Sequence, residues 1–288
     1  MDRKKLRQRL GQGPALLLPG VANPLAARVA EDLGFEALYV TGAGVANTEL
    51  GLPDIGILNL TDMAQAVERI ASVVDLPLVV DADTGYGNSV SCYHAVRRLE
   101  AAGAAAIQIE DQVFPKRCGH FDGKEVAPAV EMIGKIKAAA DARKSEDTLI
   151  VARTDACAVE GYEAAIERAG RYAEAGADVL FVEALTTEEQ LRDAPGRNPL
   201  PHLVNVVHGG KTPALPASQF EEMGYRLILY ANAALQASVA AMQHVLGALR
   251  TDGSLEKVGD RLAGFAERQQ VVRTSEYDAM RHRYEGGA

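Results

Sequence analysis

The stretch SCYHAVRRLEAAGAAAIQIED, residues 91–111, changes character at Gly103. Before the glycine, apolar residues recur at helical spacing among charged ones; after it the chain carries no charge until Glu110 and Asp111. A helix that ends on a glycine able to turn left-handed, followed by a short buried run that closes on acids, reads as one αβ unit. The unit recurs. Gly34 closes AEDLG and Gly176 closes AEAG, and Thr41, Glu110 and Glu183 each stand seven residues beyond their glycine. Gly224, in FEEMG, opens a similar unit that closes in LYAN.

Working outward from this unit, eight short apolar runs appear: ALLLPG, ALYVTG, LPLVVDAD, AAIQIED, TLIVARTD, DVLFVEA, HLVNVV and LILYAN. Segments of helical spacing such as NPLAARVAEDLG and YEAAIERAGRYAEAG lie between them. Strands without strict alternation, separated by helix-length connections, predict a parallel sheet covered by helices, and eight such units fit a (β/α)8 TIM-type barrel. A doubly wound open sheet is the competing fold, but its glycine-rich phosphate fingerprint is missing from LLLPGVANP. The expectation is one barrel domain over 1–288, with 247–288 as a helical extension that packs on a partner subunit or wraps the outside.

Composition narrows the function. With 48% hydrophobic residues among 288, the chain can bury a sizeable core. A net charge of −9 disfavours a nucleic-acid surface. The apolar run after the basic N-terminus is too short for a signal peptide or a membrane span, so a cytoplasmic protein is expected. Cys92, Cys118 and Cys157 form no CxxC pair and read as free thiols.

A barrel of this kind places its site at the C-terminal ends of its strands, and there the runs turn polar: YVTGAG, DADTGYGN, IEDQ, ARTDA, VEA and VNVVHGG. Asp81 and Asp83, two apart, would project from one face of an extended strand. Two carboxylates held together repel unless protonated or bridged by a cation, and with Glu110 arriving from the next strand the oxygen-only set suits Mg2+ or Mn2+. Turn formation by aspartate is the bland alternative. Cys118 lies among Lys116, Arg117 and His120, where positive charge favours the thiolate, although a cysteine in a basic loop is commonly incidental. Arg153 can clamp a carboxylate or simply pair with Asp155 or Glu183. Paired glycines in HGGKTP could face an anion or form a plain turn.

The motifs YVTGAG, LGLPDIG, DADTGYGN, IEDQVFPKRCGH, GKE, ARTDA and GGKTP stand in the order found in the isocitrate lyase/phosphoenolpyruvate mutase superfamily, which this chain resembles from about Leu16 to Tyr230. The resemblance implies a barrel whose last helix is exchanged between subunits, in a homotetramer built as a dimer of helix-swapped dimers. It implies Mg2+ at Asp81 and Asp83 with Asp54 and Glu110 around it. An oxo-acid carboxylate would meet Thr41, Gly42 and Ala43 with Arg153 beside them, and Glu183, Asn205 and His208 would complete the substrate-facing set. Cys118 would be the general acid, tuned by Lys116 and His120, and Tyr39 stands where a base is proposed in related lyases.

The activity so implied is Mg2+-dependent carbon–carbon cleavage of a 2-hydroxy di- or tricarboxylate of the 2-methylisocitrate or 2,3-dimethylmalate type, giving an oxo acid and a carboxylate. A phosphonomutase of the carboxyphosphonoenolpyruvate type, an oxaloacetate hydrolase or decarboxylase, and a noncatalytic metabolite-binding barrel are the alternatives. Two departures bear on the substrate: His208 replaces a glutamate common in look-alikes, and Thr-Gly-Ala-Gly replaces the more usual Ser-Gly-Gly or Thr-Gly-Ser.

Overall fold

The computed structural model describes residues 3–116 and 123–286. Eight parallel strands form a closed barrel: β1 (Leu16–Val21), β2 (Leu38–Val40), β3 (Leu78–Asp81), β4 (Ala104–Glu110), β5 (Leu149–Thr154), β6 (Val179–Val182), β7 (His202–Asn205) and β8 (Tyr225–Tyr230). The pairing of β1 with β8, from Leu16 beside Leu227 to Pro19 beside Tyr230, closes the sheet and rules out the open doubly wound alternative. The helices are α1 (Arg3–Gly11), α2 (Pro24–Asp32), α3 (Gly42–Val45), α4 (Leu60–Ala71), α5 (Ser89–Ala102), α6 (Ala129–Ala142), α7 (Tyr162–Glu174), α8 (Glu188–Asp193), α9 (Ala217–Glu222), α10 (Ala233–Asp252), α11 (Phe265–Val271) and α12 (Thr274–Glu285). Among the described residues no helix is long and apolar enough to cross a membrane.

The repeated glycines do what their position predicts. Gly34, Gly103, Gly176 and Gly224 have φ of 82°, 118°, 110° and 102°, the left-handed conformation that ends a helix and turns the chain into the next strand. Helix starts are equally local: the Asn23 side chain caps α2 just before Pro24, and Asn59 with Asp62 forms a capping box on α4.

Strand pleating splits the core in two. Leu18, Tyr39, Val79, Ala106, Val151, Phe181, Leu203 and Leu229 belong to the barrel interior, while Leu38, Val40, Val80, Ile107, Ile150, Leu180, Val204 and Ile228 face the helix ring. Both faces are apolar, so the runs lack strict alternation. Leu6 and Leu10 of α1 join the interior cluster, whose other members are strand residues and their neighbours, and Arg226 holds α1 by donating to Leu10 O at 2.9 Å.

The C-terminal helices differ from the rest. α10 runs through Gly247 without a break, and no residue of it is buried; Met242 and Leu246 are 53% and 60% exposed. Arg273, before α12, pairs with Asp32 and Glu31 of α2.

His202 opens β7, is almost fully buried and packs edge-on to Tyr225. Burial holds its imidazole neutral, pushing the pKa down to about 4. The unfolded chain takes up this proton from near the ordinary value of 6.5, so the contribution to stability is complete above pH 6.5 and is lost as the pH falls toward 4. The loss is on the order of 3 kcal/mol. Denaturant melts of wild type and His202→Gln across pH 4–7 should show the wild type losing that much more than the variant; parallel curves would contradict it.

Candidate active site

The pleat that places Tyr39, Val79, Val151, Phe181 and Leu203 inside the barrel sends the next inward residue, two further on, to the C-terminal mouth. There the chain presents Thr41, Asp81, Arg153, Glu183 and Asn205, with Glu110 from the longer β4. Thr41, Asp81, Glu110, Arg153 and Asn205 line a small cavity of about 40 Å³ together with Ala43, Asp54 and Lys116. Strand register sets the neighbours. Glu110 lies beside Arg153 and Asp81 beside Gln108, which gives the Arg153 Nη1 to Glu110 Oε2 approach of 3.3 Å and the Gln108 Nε2 to Asp81 Oδ1 hydrogen bond of 3.2 Å.

Asp81 and Asp83 meet, but not along an extended strand. β3 ends at Asp81, and Asp83 has φ of 47°, a left-handed conformation that costs a non-glycine residue of order 1–3 kcal/mol. Its amide donates to Asp81 Oδ1 at 3.2 Å and its carbonyl accepts from Glu110 N at 2.8 Å, so the turn is held from two sides. Gly42 opens α3 opposite these acids and donates its N–H to Asp81 Oδ2 at 3.3 Å. A Cβ at Gly42 would lie 3.1 Å from Asp81 Oδ2 and 3.4 Å from Asp83 Oδ1, so glycine keeps the space before both carboxylates open. Thr41 caps the same turn by accepting from Gly44 N.

Lys116 is 4% exposed, and its Nζ lies 2.5 Å from Asp54 Oδ1 and 2.7 Å from Asp83 Oδ1. Burial alone would pull its pKa down; Asp83, Asp81, Glu110 and Asp54 together outweigh that and hold the ammonium well above its ordinary range. Burial pushes Asp83 up to about 7 against the pull of Lys116. Burial likewise raises Glu110 well above the usual carboxylate range, with Arg153 opposing. The Oε1 of Glu110 is buried with no hydrogen-bond partner among the described residues.

Arg153 makes the pair with Asp155 that its sequence allowed. Its Nε and Nη2 donate to Asp155 at 2.9 and 3.1 Å, while Nη1 faces Glu110 and the guanidinium lies 5.2 Å from the Phe181 ring centre. Lys124, of the GKE motif, donates to Asp155 Oδ1 at 2.7 Å. Sequence reasoning gave no role to Lys124 or Gln108; a lysine directly after a glycine-rich loop, and a lone amide inside an apolar strand, were the available signals.

Three expectations change or fall outside. Tyr39 reaches the cavity, but its hydroxyl donates to Gln108 Oε1 at 2.8 Å, and burial, then Asp81, push its pKa well above 10. It keeps its proton and orients Gln108, which opposes a role as base. His208 is not brought to the cavity: β7 ends at Asn205, and His208 sits in an exposed turn three residues on, its carbonyl accepting from Gln236. Cys118 and His120 lie outside the described residues.

The model of the family described as phosphoenolpyruvate phosphomutase matches residues 6–250. The chain belongs to that family. A curated relative named 2-methylisocitrate lyase, from Aeropyrum pernix, is 44% identical over 95% of this chain and 88% of its own length. Among solved structures, 2,3-dimethylmalate lyase, titled a PEP mutase/isocitrate lyase superfamily member, matches with a TM-score of 0.91 at 36% identity, covering 99% of this chain and 98% of the other. A phosphonopyruvate hydrolase in complex with oxalate and Mg++ matches with a TM-score of 0.89 at 30% identity, covering 99% of each.

This member of the phosphomutase family has atoms that suit such an ion. The donors are oxygens, Glu110 Oε1 has no hydrogen-bond donor among the described residues, and Gly42 leaves room before Asp81 and Asp83. Among the described residues no three acidic, histidine or cysteine side chains converge as a closed cage. The fit is therefore to a hard ion that takes one or two carboxylates and completes its shell with water and substrate.

Lys116→Met would leave Asp54 and Asp83 without their buried cation, at a cost of about 3–5 kcal/mol. Denaturant midpoints in EDTA at pH 8 should fall accordingly; a loss within error would mean that the ammonium does not neutralise this pair.

Proposed function

We propose that the chain is a cytoplasmic, divalent-metal-dependent carbon–carbon lyase, cleaving a 2-hydroxy di- or tricarboxylate of the 2-methylisocitrate or 2,3-dimethylmalate type into an oxo acid and a carboxylate. The observation that carries this is the convergence of Asp81, Asp83, Glu110, Lys116 and Arg153 on one mouth with an open oxygen-lined space before the acids. The 44% identity to a 2-methylisocitrate lyase supports this reading over a phosphonomutase.

Asp81 and Asp83 would hold Mg2+ or Mn2+, directly or through water, with Asp54 and Glu110 around it. When bound, the ion supplies positive charge for a 2-oxyanion and its neighbouring carboxylate. Arg153 and the amide of Ala43 orient that carboxylate, with Gly42 leaving the space open, Thr41 fixing the turn, and Asn205 and Glu183 at the wall. The 2-hydroxyl proton passes to a buried carboxylate of the mouth outside the ion's own pair, whereas Tyr39, which donates its hydroxyl to Gln108, keeps its proton. Bond cleavage leaves a carbanion stabilised by its own carboxylate, and the Cys118 thiol, two residues along the chain from Lys116, donates the proton that quenches it, with His120 assisting. Lys116 keeps a cation beside the acids throughout.

Incubation with Mg2+ and a panel of 2-methylisocitrate, 2,3-dimethylmalate and related 2-alkylmalates should release an oxo acid, detected by coupled reduction. Cys118→Ser should lose at least about 100-fold in kcat while still binding the oxo-acid product. Full activity in that variant would remove the thiol from the mechanism, and no turnover with any member of the panel would overturn the lyase reading.

The same reading extends to assembly as a homotetramer of helix-swapped dimers. A helix of 20 residues that buries none of them, beside a cavity lined by Leu25, Val29, Leu33 and Phe35, fits an element that packs on a second copy. Light scattering at micromolar concentration should give four times the chain mass; a monomer would contradict it.

A further inference from the structure

Arg153 does not choose its own orientation. Asp155 takes the Nε and Nη2 edge of the guanidinium, leaving Nη1 toward Glu110 and the cavity. Asp155 is itself fixed at two points. Its carboxylate takes Lys124 Nζ at 2.7 Å, and its backbone N–H, which leaves the sheet where β5 ends, donates to Asp111 Oδ1 at 2.9 Å.

Asp111 follows Glu110, so the pleat turns it away from the mouth and toward α7. It is 1% exposed and does not line the cavity. Its second oxygen accepts from Thr154 Oγ1 at 2.7 Å, Tyr172 OH at 2.8 Å and Arg168 Nη1 at 3.3 Å. Arg168 and Tyr172 stand one turn apart on α7, and Arg168 is anchored in turn by Glu160, at 2.8 and 2.7 Å, and by Ala127 O at 2.8 Å. Three of the four donors to Asp111 lie within 2.9 Å, yet the network touches nothing in the mouth except through Asp155.

We propose that Asp111, gripped by Arg168 and Tyr172 of α7, is a positioning residue for Arg153: it fixes the turn at Asp155, and Asp155 fixes the guanidinium against the substrate carboxylate. The inference rests on the reading that Arg153 meets that carboxylate. A buried carboxylate and arginine of this kind are a poor way to gain stability, because desolvation offsets their attraction and apolar residues of similar volume commonly do as well. What the network provides is geometry. A misplacement of 1 Å in a group that orients substrate costs about 100-fold, and a guanidinium held only by its own long side chain would wander that far.

The test uses the full-length protein with two variants and two readouts. Asp111→Asn replaces an acceptor with a donor facing three donors; Tyr172→Phe removes one hydroxyl and keeps the fold. The first readout, the Nε–H resonance of Arg153 identified by its loss in Arg153→Lys, needs no ligand. It should shift and lose exchange protection in Asp111→Asn, and shift to a smaller degree in Tyr172→Phe. The second is calorimetric binding of oxalate in the presence of Mg2+, whose Kd should rise about tenfold or more in Asp111→Asn. A merely structural role would lower the melting midpoint and leave both readouts of the folded protein unchanged; that result, in either variant that folds, overturns the proposal. If wild type itself fails to bind oxalate with Mg2+, the functional reading fails instead, and the Arg153 resonance still decides the positioning role.

Discussion

Excess negative charge, buried at the barrel mouth, is the constraint around which the site is organised. Asp54, Asp81, Asp83, Glu110, Asp155 and Glu183 gather there against the cations of Lys116, Lys124 and Arg153 among the described residues, and all but Asp54 are buried. Burial pushes Asp83, Glu110 and Asp155 toward their neutral forms, and the cations answer it unevenly. Asp155, with both Arg153 and Lys124, is held below the ordinary range; Asp83, with Lys116, rises to about 7; Glu110 rises well above its usual value. The mouth is thus divided into a neutralised half around Asp155, which serves as scaffold, and an under-neutralised half around Asp81, Asp83 and Glu110, which has charge to spare for a bound cation.

The backbone pays for this arrangement with strain and close approach. Asp83 and Ala184 are non-glycine residues with φ of 47° and 63°, and each sits just past the end of a strand that delivers an acid, Asp81 or Glu183. Gly42 has no such φ but could not carry a Cβ without crowding both aspartates. Asp81 and Arg153 each meet the residue two further on, Asp83 and Asp155, where the chain leaves the sheet.

The two lysines link this charge pattern to the segment between them. Lys116 is tied to Asp54 and Asp83, Lys124 to Asp155, and an antiparallel bridge between Gln112 and Val126, with Val113 N donating to Glu125 O at 2.9 Å, holds the flanks of 117–122 side by side. Acids from the loop after β2 and the ends of β3 and β5 therefore anchor both flanks of the stretch that contains Cys118. Charge neutralisation at the mouth and the tethering of these two flanks are done by the same side chains.

The barrel, its eight strands and the polar character of the strand ends were legible in the chain, because helix-ending glycines, capping asparagines and short apolar runs act over a few residues. Asp81, Glu110 and Arg153 could be named as site residues for the same reason: each closes an apolar run. What lies across the barrel was not legible. That Tyr39 gives its hydroxyl to Gln108, that Lys124 shares Asp155 with Arg153, and that His208 turns out to solvent depend on strand register, on where each strand stops and on which face of α7 meets β4. Those are contacts between residues up to 69 positions apart, set by closure of the sheet, and a periodicity of two or of 3.6 carries no record of them.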